Sequence, residues 1–138
     1  SFAARNGRMM VAVTTLRQTL ATALQNDGVW SVFSYPPASP IANSVIIQPD
    51  DPYIEPLNQQ WNAISPMAHF IITMIVPMFD NQGNLQGIEN FMVAVFNKLS
   101  NSGLHFGVGS VSGVKVLGID SGQMLSADMQ INLVTSWS

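Results

Sequence analysis

Apolar residues alternate with other residues along the stretch 67–78, then recur at helical spacing along 85–99. The alternation predicts a β-strand with one face wholly buried, formed by Ala68, Phe70, Ile72, Met74, Val76 and Met78. The intervening positions are half apolar, which predicts an interior strand covered on both sides. The helical spacing predicts an amphipathic helix that packs on this strand, with a buried stripe of Ile88, Phe91, Met92, Val95, Phe96 and Leu99.

Short polar segments mark both ends of this helix. The sequence 80–83 predicts a turn after the strand, and Asn84 is a candidate N-cap. Lys98 falls in the last turn, where a cation complements the negative end of the helix dipole. Gly103 is placed to close the helix.

The N-terminal part predicts a second helix and a short strand. Thr15 and Gln18 fit a capping box, and the apolar face of this helix comprises Leu16, Leu20, Ala23 and Leu24. The sequence 26–28, ending in Gly28, predicts its termination. A short strand is expected over 29–35, and residues 1–10 have no periodic pattern and are expected to form a flexible arm.

Prolines dominate the next segment, since six of the eight lie between Pro36 and Pro56. Proline cannot donate to a β-ladder, so Pro40 and Pro49 are expected to bracket a brief strand over 44–48. The sequence 49–66 predicts a long loop, and loops of that length are usually functional.

Two further strands are expected over 104–118 and 123–138. The second has an apolar face of Leu125, Ala127, Met129, Ile131 and Leu133, which alternates with polar residues. The sequence 120–122 predicts the turn that joins the two strands into an antiparallel pair.

The expected fold class is therefore α/β (α+β), in one small domain over residues 11–138. We expect a mixed, mostly antiparallel sheet with two helices packed on it. The predicted core includes Leu20, Leu24, Phe70, Ile72, Met74, Phe91, Val95 and Ile131.

The charge content is low and changes the expected surface. Only 9% of the 138 residues are charged, against roughly 25% in ordinary soluble proteins, and the net charge is −3. Either the surface consists of Ser, Asn, Gln and Thr, or other subunits cover much of it. The apolar run 67–79 is about half the length of a membrane span, which predicts a soluble chain. Five scattered basic residues exclude a basic patch for nucleic acid.

No motif in the chain predicts a catalytic, cofactor or metal site. The chain has no cysteine, and His69 and His105 lack neighbours at ligand spacing. The glycines of 107–113 are spaced one residue too widely for a dinucleotide loop, and the sequence 80–84 lacks the terminal Glu of a calcium loop.

Asp50, Asp51 and Glu55 form the single acidic cluster in the sequence. They form either a solvated loop or, less readily, an acid/base or metal site, which would need a pocket and a partner. Tyr53 and Trp61 on the same predicted loop either anchor an interface or fold back onto the domain.

The order of these segments resembles the tail terminator proteins of long-tailed bacteriophages, particularly the small minor tail proteins of phages of actinobacteria. The resemblance rests on the helix ending at Gly28, then WSVFSYPPA at 30–38, the strand 45–47 and PDDPYIEP at 49–56. A strand ending at Pro77, the helix 88–99 and two closing strands complete it. It covers nearly the whole chain from Val11.

The resemblance implies a hexameric ring on the last ring of the tail tube, with no catalytic residues and no cofactor. Such a ring stops tube growth and contacts the major tail tube protein and the head-completion or neck proteins. It lies in the virion at the head–tail junction after assembly in the host cytoplasm, and DNA passes through without specific binding. Asp50, Asp51 and Glu55 are candidates for the channel lining. There are two alternatives to a tail terminator. One is a head-closure or neck protein of the same junction, and the other is a small module that binds a hydrophobic ligand.

Overall fold

Seven strands and two helices make up the part of the chain that the computed structural model describes, residues 11–39, 41–56, 66–78, 84–119 and 122–137. The helices are α1 (Val13–Ala23) and α2 (Leu85–Ser100). The strands are β1 (Val11–Ala12), β2 (Ser31–Phe33), β3 (Ser44–Glu55), β4 (Met67–Pro77), β5 (Phe106–Val111), β6 (Lys115–Ile119) and β7 (Gly122–Ser136). The predicted arm 1–10 and the predicted turn 80–83 lie outside the described residues.

Strand β7 pairs with more strands than any other in the sheet. Its 15 residues pair antiparallel with β4 along one side, from Met67 opposite Val134 to Pro77 opposite Met124. Its other side pairs in succession with β6 and β5, both antiparallel, and with β1, which is parallel. Beyond β4 the sheet continues with antiparallel β3 and then parallel β2. The prediction of a mixed, mostly antiparallel sheet is confirmed.

Both helices pack on one face of this sheet and form the main core with it. All eight predicted core residues are buried there, with Phe70 and Val95 completely inaccessible to solvent. The ring of Trp30 lies 4.9 Å from that of Phe91. The indole Nε1–H of Trp30 donates to the Leu24 carbonyl at 2.8 Å, so this buried polar group is satisfied.

Helix α2 agrees with the prediction at its ends and differs on one face. Asn84 Oδ1 accepts from the Gly87 N–H at 3.1 Å, and Gly103 has a positive φ of 81° just beyond the helix. Lys98 lies in the last turn, as expected. The predicted burial of Phe96 is wrong, because this side chain is 44% exposed, and Met92 is only half-buried.

The predicted capping box of α1 is also wrong. The helix begins at Val13, two residues before Thr15, and the Thr15 hydroxyl donates to the Ala12 carbonyl from inside the first turn. Ala12 is extended because β1 pairs with the end of β7, and the helix starts as soon as this pairing ends. The position of the start therefore depends on a strand more than a hundred residues away.

Strand β3 is longer than predicted. It was expected to stop at Gln48, and it continues to Glu55 through Pro49 and Pro52. The prolines are tolerated because β2 covers only residues 44–46, which leaves the later part of β3 at the sheet edge in the described structure. The register with β4 is irregular between Pro49 and Ile54. Residues 57–65, including Trp61, lie outside the described residues.

The second face of the sheet is less covered than the sequence predicted. Strand β4 is interior, as expected, but His69, Ile71 and Thr73 on this face are only half-buried. A small apolar cluster at one end contains Ile46, Ile75 and Met124, with Phe33, Ala42 and Leu117 packed against it. The predicted strand 104–118 is two strands, β5 and β6, which follow one another along β7.

We expect Phe70→Ala to lower the free energy of unfolding by about 3–5 kcal/mol, because the change leaves a cavity in the main core. Val93→Ala is the matched control, since Val93 is 60% exposed on α2, and its effect should stay within about 0.5 kcal/mol. Urea unfolding followed by circular dichroism measures both. Equal midpoints for the two variants would contradict this description of the core.

Candidate assembly surface

An apolar ridge lies where the outer face of α2 meets β5, and it consists of Val93, Phe96, Phe106 and Val108. The rings of Phe96 and Phe106 meet edge to face with centroids 5.9 Å apart. Phe96, Phe106 and Val108 line a shallow cavity of about 280 Å³ together with Ser100 and Gly107. Val93 extends the ridge one helical turn toward the start of α2. No charged side chain lines this cavity among the described residues, so the ridge suits an apolar contact.

Further exposed apolar side chains lie at both ends of the sheet. At one end, on and beside the strands β5 and β6, these are Val111, Val114 and Val116. At the other end, in the segments that flank β2, they are Val29, Tyr35 and Ile41. The two groups are separated by the width of the sheet, so they form two distinct surfaces.

The acidic cluster lies on a strand edge and not in the predicted loop. Asp50, Asp51 and Glu55 all belong to β3, in the part that β2 leaves uncovered. Asp50 Oδ1 accepts from the Asp51 N–H at 2.8 Å, and Asp51 is exposed. Glu55 Oε1 lies 2.8 Å from His69 Nε2 on β4. His69 therefore has a carboxylate partner that the sequence spacing did not reveal.

Tyr53 is half-buried and folds partly onto the domain. Its ring meets that of Phe70 edge-on, with centroids 5.4 Å apart and planes at 74°. It therefore supports the core from the end of β3, and its role as an interface anchor stays a prediction. Trp61, the other predicted anchor, lies outside the described residues.

A polar centre on the second face of the sheet was not identified from the sequence. The carboxylate of Asp128 accepts from the Thr73 hydroxyl at 2.7 Å and lies 3.6 Å from Lys115 Nζ. The backbones of Asp128 and Ser112 are also joined, since the Ser112 N–H donates to the Asp128 carbonyl at 2.8 Å. These contacts hold the segment between β5 and β6 against β7. The alternation of β7 placed Asp128 on the polar face, but only the strand register shows its partners.

A groove of about 480 Å³ lies beside the C-terminal ends of the two helices. Most of its lining side chains carry hydroxyl, amide or ammonium groups, among them Gln18, Thr22, Lys98 and Asn101. The groove therefore combines these polar groups with the apolar side chains of Ala23 and Leu104.

The comparisons with known proteins add no family to this description. No protein-family model matches the chain, and no curated protein matches it significantly. Within the described ranges, His, Asp and Glu side chains form no group of three that could hold a metal ion. Neither α1 nor α2 is long and apolar enough to span a membrane.

We expect Thr73→Val to lower the free energy of unfolding by about 1–2 kcal/mol, because it removes the hydroxyl that donates to the Asp128 carboxylate. Thr73→Ser keeps the donor and serves as the control. Chemical denaturation of the two variants and the parent measures the difference. A Val variant as stable as the Ser variant would show that this hydrogen bond contributes nothing.

Proposed function

We propose that this chain is a structural virion protein that acts as a phage tail terminator. In this role copies of the chain form a hexameric ring on the end of the tail tube, stop its growth and join the tail to the neck proteins. The observation that carries the proposal is the set of exposed apolar surfaces, at the ridge and at both ends of the sheet, in a chain with only 9% charged residues. Such surfaces are typical of sites that are buried in an assembly.

The positions of these surfaces suit a closed ring. In a ring each copy contacts the next through two different surfaces, one on each side of the subunit. The apolar groups beside β2 and on β5–β6 lie at opposite ends of one sheet, and so meet that requirement. The apolar ridge lies on the helix side and remains available for the tail tube or a neck protein.

The acidic edge of β3 fits a channel through which DNA moves. Six copies at −3 each carry about −18, and a carboxylate facing the channel repels phosphate where a lysine would bind it. Screening limits this repulsion to about 8 Å at physiological salt, so only residues that line the channel act on the duplex. Asp51 is the best placed of the three acidic residues, because Glu55 is already engaged by His69.

The direct test measures the mass of the assembled protein, its position in the virion and its ability to cap tail tubes. Six copies of the 15.0-kDa chain should give a species of about 90 kDa in native mass spectrometry, and electron microscopy of labelled virions should place it between tube and neck. Added to polymerising tail tube protein, the chain should cap tubes and shorten them. A position on the head side of the junction would instead support the neck-protein alternative, and a monomer that binds apolar ligands would support a ligand-binding module.

Phe96→Asp provides a variant for the same assay, because it introduces a charge into the apolar ridge. We expect it to weaken tube capping by about 30-fold or more, as for loss of an interface hot spot. Asn97→Asp is the matched control, since it adds the same charge at the next exposed position of α2. Equal capping by both variants would exclude the ridge as the tube contact.

A second prediction concerns genome passage. Asp50→Lys with Asp51→Lys should leave ring and tail assembly intact and slow DNA ejection severalfold, because each lysine adds a phosphate contact in the channel. The neutral pair Asp50→Asn and Asp51→Asn controls for loss of the carboxylates alone. Ejection is measured by DNA release from purified particles. Normal ejection from the lysine variant, or its failure to assemble, would place these residues elsewhere.

A further inference from the structure

The short strands at the two ends of the sheet, β2 and β6, share one row of register partners. One row of register partners crosses the whole sheet, from Ser31 through Ser44, Ile75 and Ser126 to Lys115. This row joins β2 at one end to β6 at the other. Because β2 runs parallel to β3 and β6 antiparallel to β7, the two end strands run in opposite directions. A second copy placed beside the first would therefore bring β2 against β6 as an antiparallel pair.

Each of these strands has backbone groups that point away from the sheet. The Ser31 N–H donates to the Asn43 carbonyl at 2.9 Å, so Ser31 faces β3 and the N–H and C=O of Val32 face outward. On β7 the Gln123 carbonyl accepts from Met78 after β4, whereas the Asp128 carbonyl accepts from Ser112 beside β6. The backbone N–H and C=O groups of the even-numbered residues of β7 therefore point toward β6.

The same alternation shows which residues of β6 have backbone N–H and C=O groups that point away from β7. Lys115 and Leu117 pair with the even-numbered Ser126 and Met124, so their backbones face β7. The N–H and C=O of Val116 therefore point outward, like those of Val32. Opposite residues of an antiparallel pair must also carry side chains on the same face. Val32 and Val116 satisfy this condition, because their register partners Val45 and Leu125 both belong to the core on the helix side.

The remaining part of the β3 edge is protected against strand addition, whereas β6 is not. Along 49–56 the edge carries prolines, which lack an N–H, and acidic side chains, which are the usual devices that prevent edge pairing. Strand β6 contains no proline, and its one charged side chain, Lys115, is paired with Asp128 of the same sheet at 3.6 Å. The side chain of Val116 is 55% exposed. An unprotected edge strand is expected where another strand normally pairs with it.

We propose that β2 of one copy adds antiparallel to the edge of β6 that no described strand covers in the next copy, with Val32 opposite Val116. This register places all three residues of β2 against β6, and it is shifted by two residues along β6 from the row that joins Ser31 to Lys115. The occupant of the β6 edge is a second copy of this chain, because the other end of its own sheet carries a matching edge strand of opposite direction that shares a row with β6. The contact is head-to-tail and joins the sheets of successive copies. This inference rests on the proposed function only for the closure of the copies into a ring.

Cysteine cross-linking tests the contact directly, since the chain has no cysteine of its own. In Val32→Cys/Val116→Cys the two thiols of one copy are four strand spacings apart, about 19 Å, which excludes an intramolecular disulfide. Mild oxidation with oxidised glutathione should convert most of the protein into covalent oligomers. Val32→Cys/Val108→Cys is the matched control, because Val108 is also exposed but lies in the row of the protected Pro49. It should give at least tenfold less product.

Mixing the single variants Val32→Cys and Val116→Cys should give covalent dimers but no covalent oligomers of three or more copies. Extensive dimers from Val116→Cys alone would overturn the proposal in favour of symmetric pairing of two β6 edges. Ser31→Cys with Leu117→Cys is a second pair for the same register, to be used if the valine variants do not fold. Absence of cross-links in a folded pair would also overturn the proposal.

The outcome is separable from that of the proposed function. Rings of about 90 kDa that cap tail tubes without any cross-link at either pair would leave the tail terminator function standing and refute the strand pairing. Cross-linked copies that neither close into rings nor cap tubes would support the strand pairing and refute the function.

Discussion

The ladder between β4 and β7 is the constraint on which the rest of the structure depends. Eleven register pairs hold these strands together, and both carry apolar side chains on the same face at every second position. That face receives both helices, and the opposite face receives the polar centre around Asp128. With β4 held in place, a shift of one residue in this register would turn β7 over, so it would bury Asp128 and expose Ile131.

Much of this arrangement could be predicted because it depends on local periodicity. The alternation of β4, the stripe of α2 and the cap at Asn84 are properties of short segments. The structure agrees with the alternation and the cap, and with the stripe except at Phe96 and the half-buried Met92. The prediction failed where pairing with a distant strand determines where an element begins or ends. The start of α1 is determined by pairing of β1 with β7, and the prolines of β3 are accepted because β2 stops short of them.

The surface was less predictable than the core for the same reason. Phe96 fits the apolar stripe of its helix, yet it is exposed because it lies over the edge strand β5 and not over the central strands of the sheet. Glu55 and His69 are 14 residues apart, and their pairing depends on the irregular register between β3 and β4. The sequence placed the acidic residues correctly in one cluster, but it could not show that this cluster lies on a strand edge.

The position of β7 in the chain has a consequence for the order of folding. β7 comes after all the other described strands in sequence, and it pairs with β1, whose contact through Thr135 and Val11 spans 124 residues. Before this strand has been synthesised only the β2–β3–β4 part of the sheet can form, and the remaining pairings are non-local, which makes the search for the native topology slow. Until then one side of β4 has no partner and its apolar face is incompletely covered, so the nascent chain is vulnerable to aggregation. Pairing of β7 with β4 is thus the step that completes this side of the sheet and covers its apolar face.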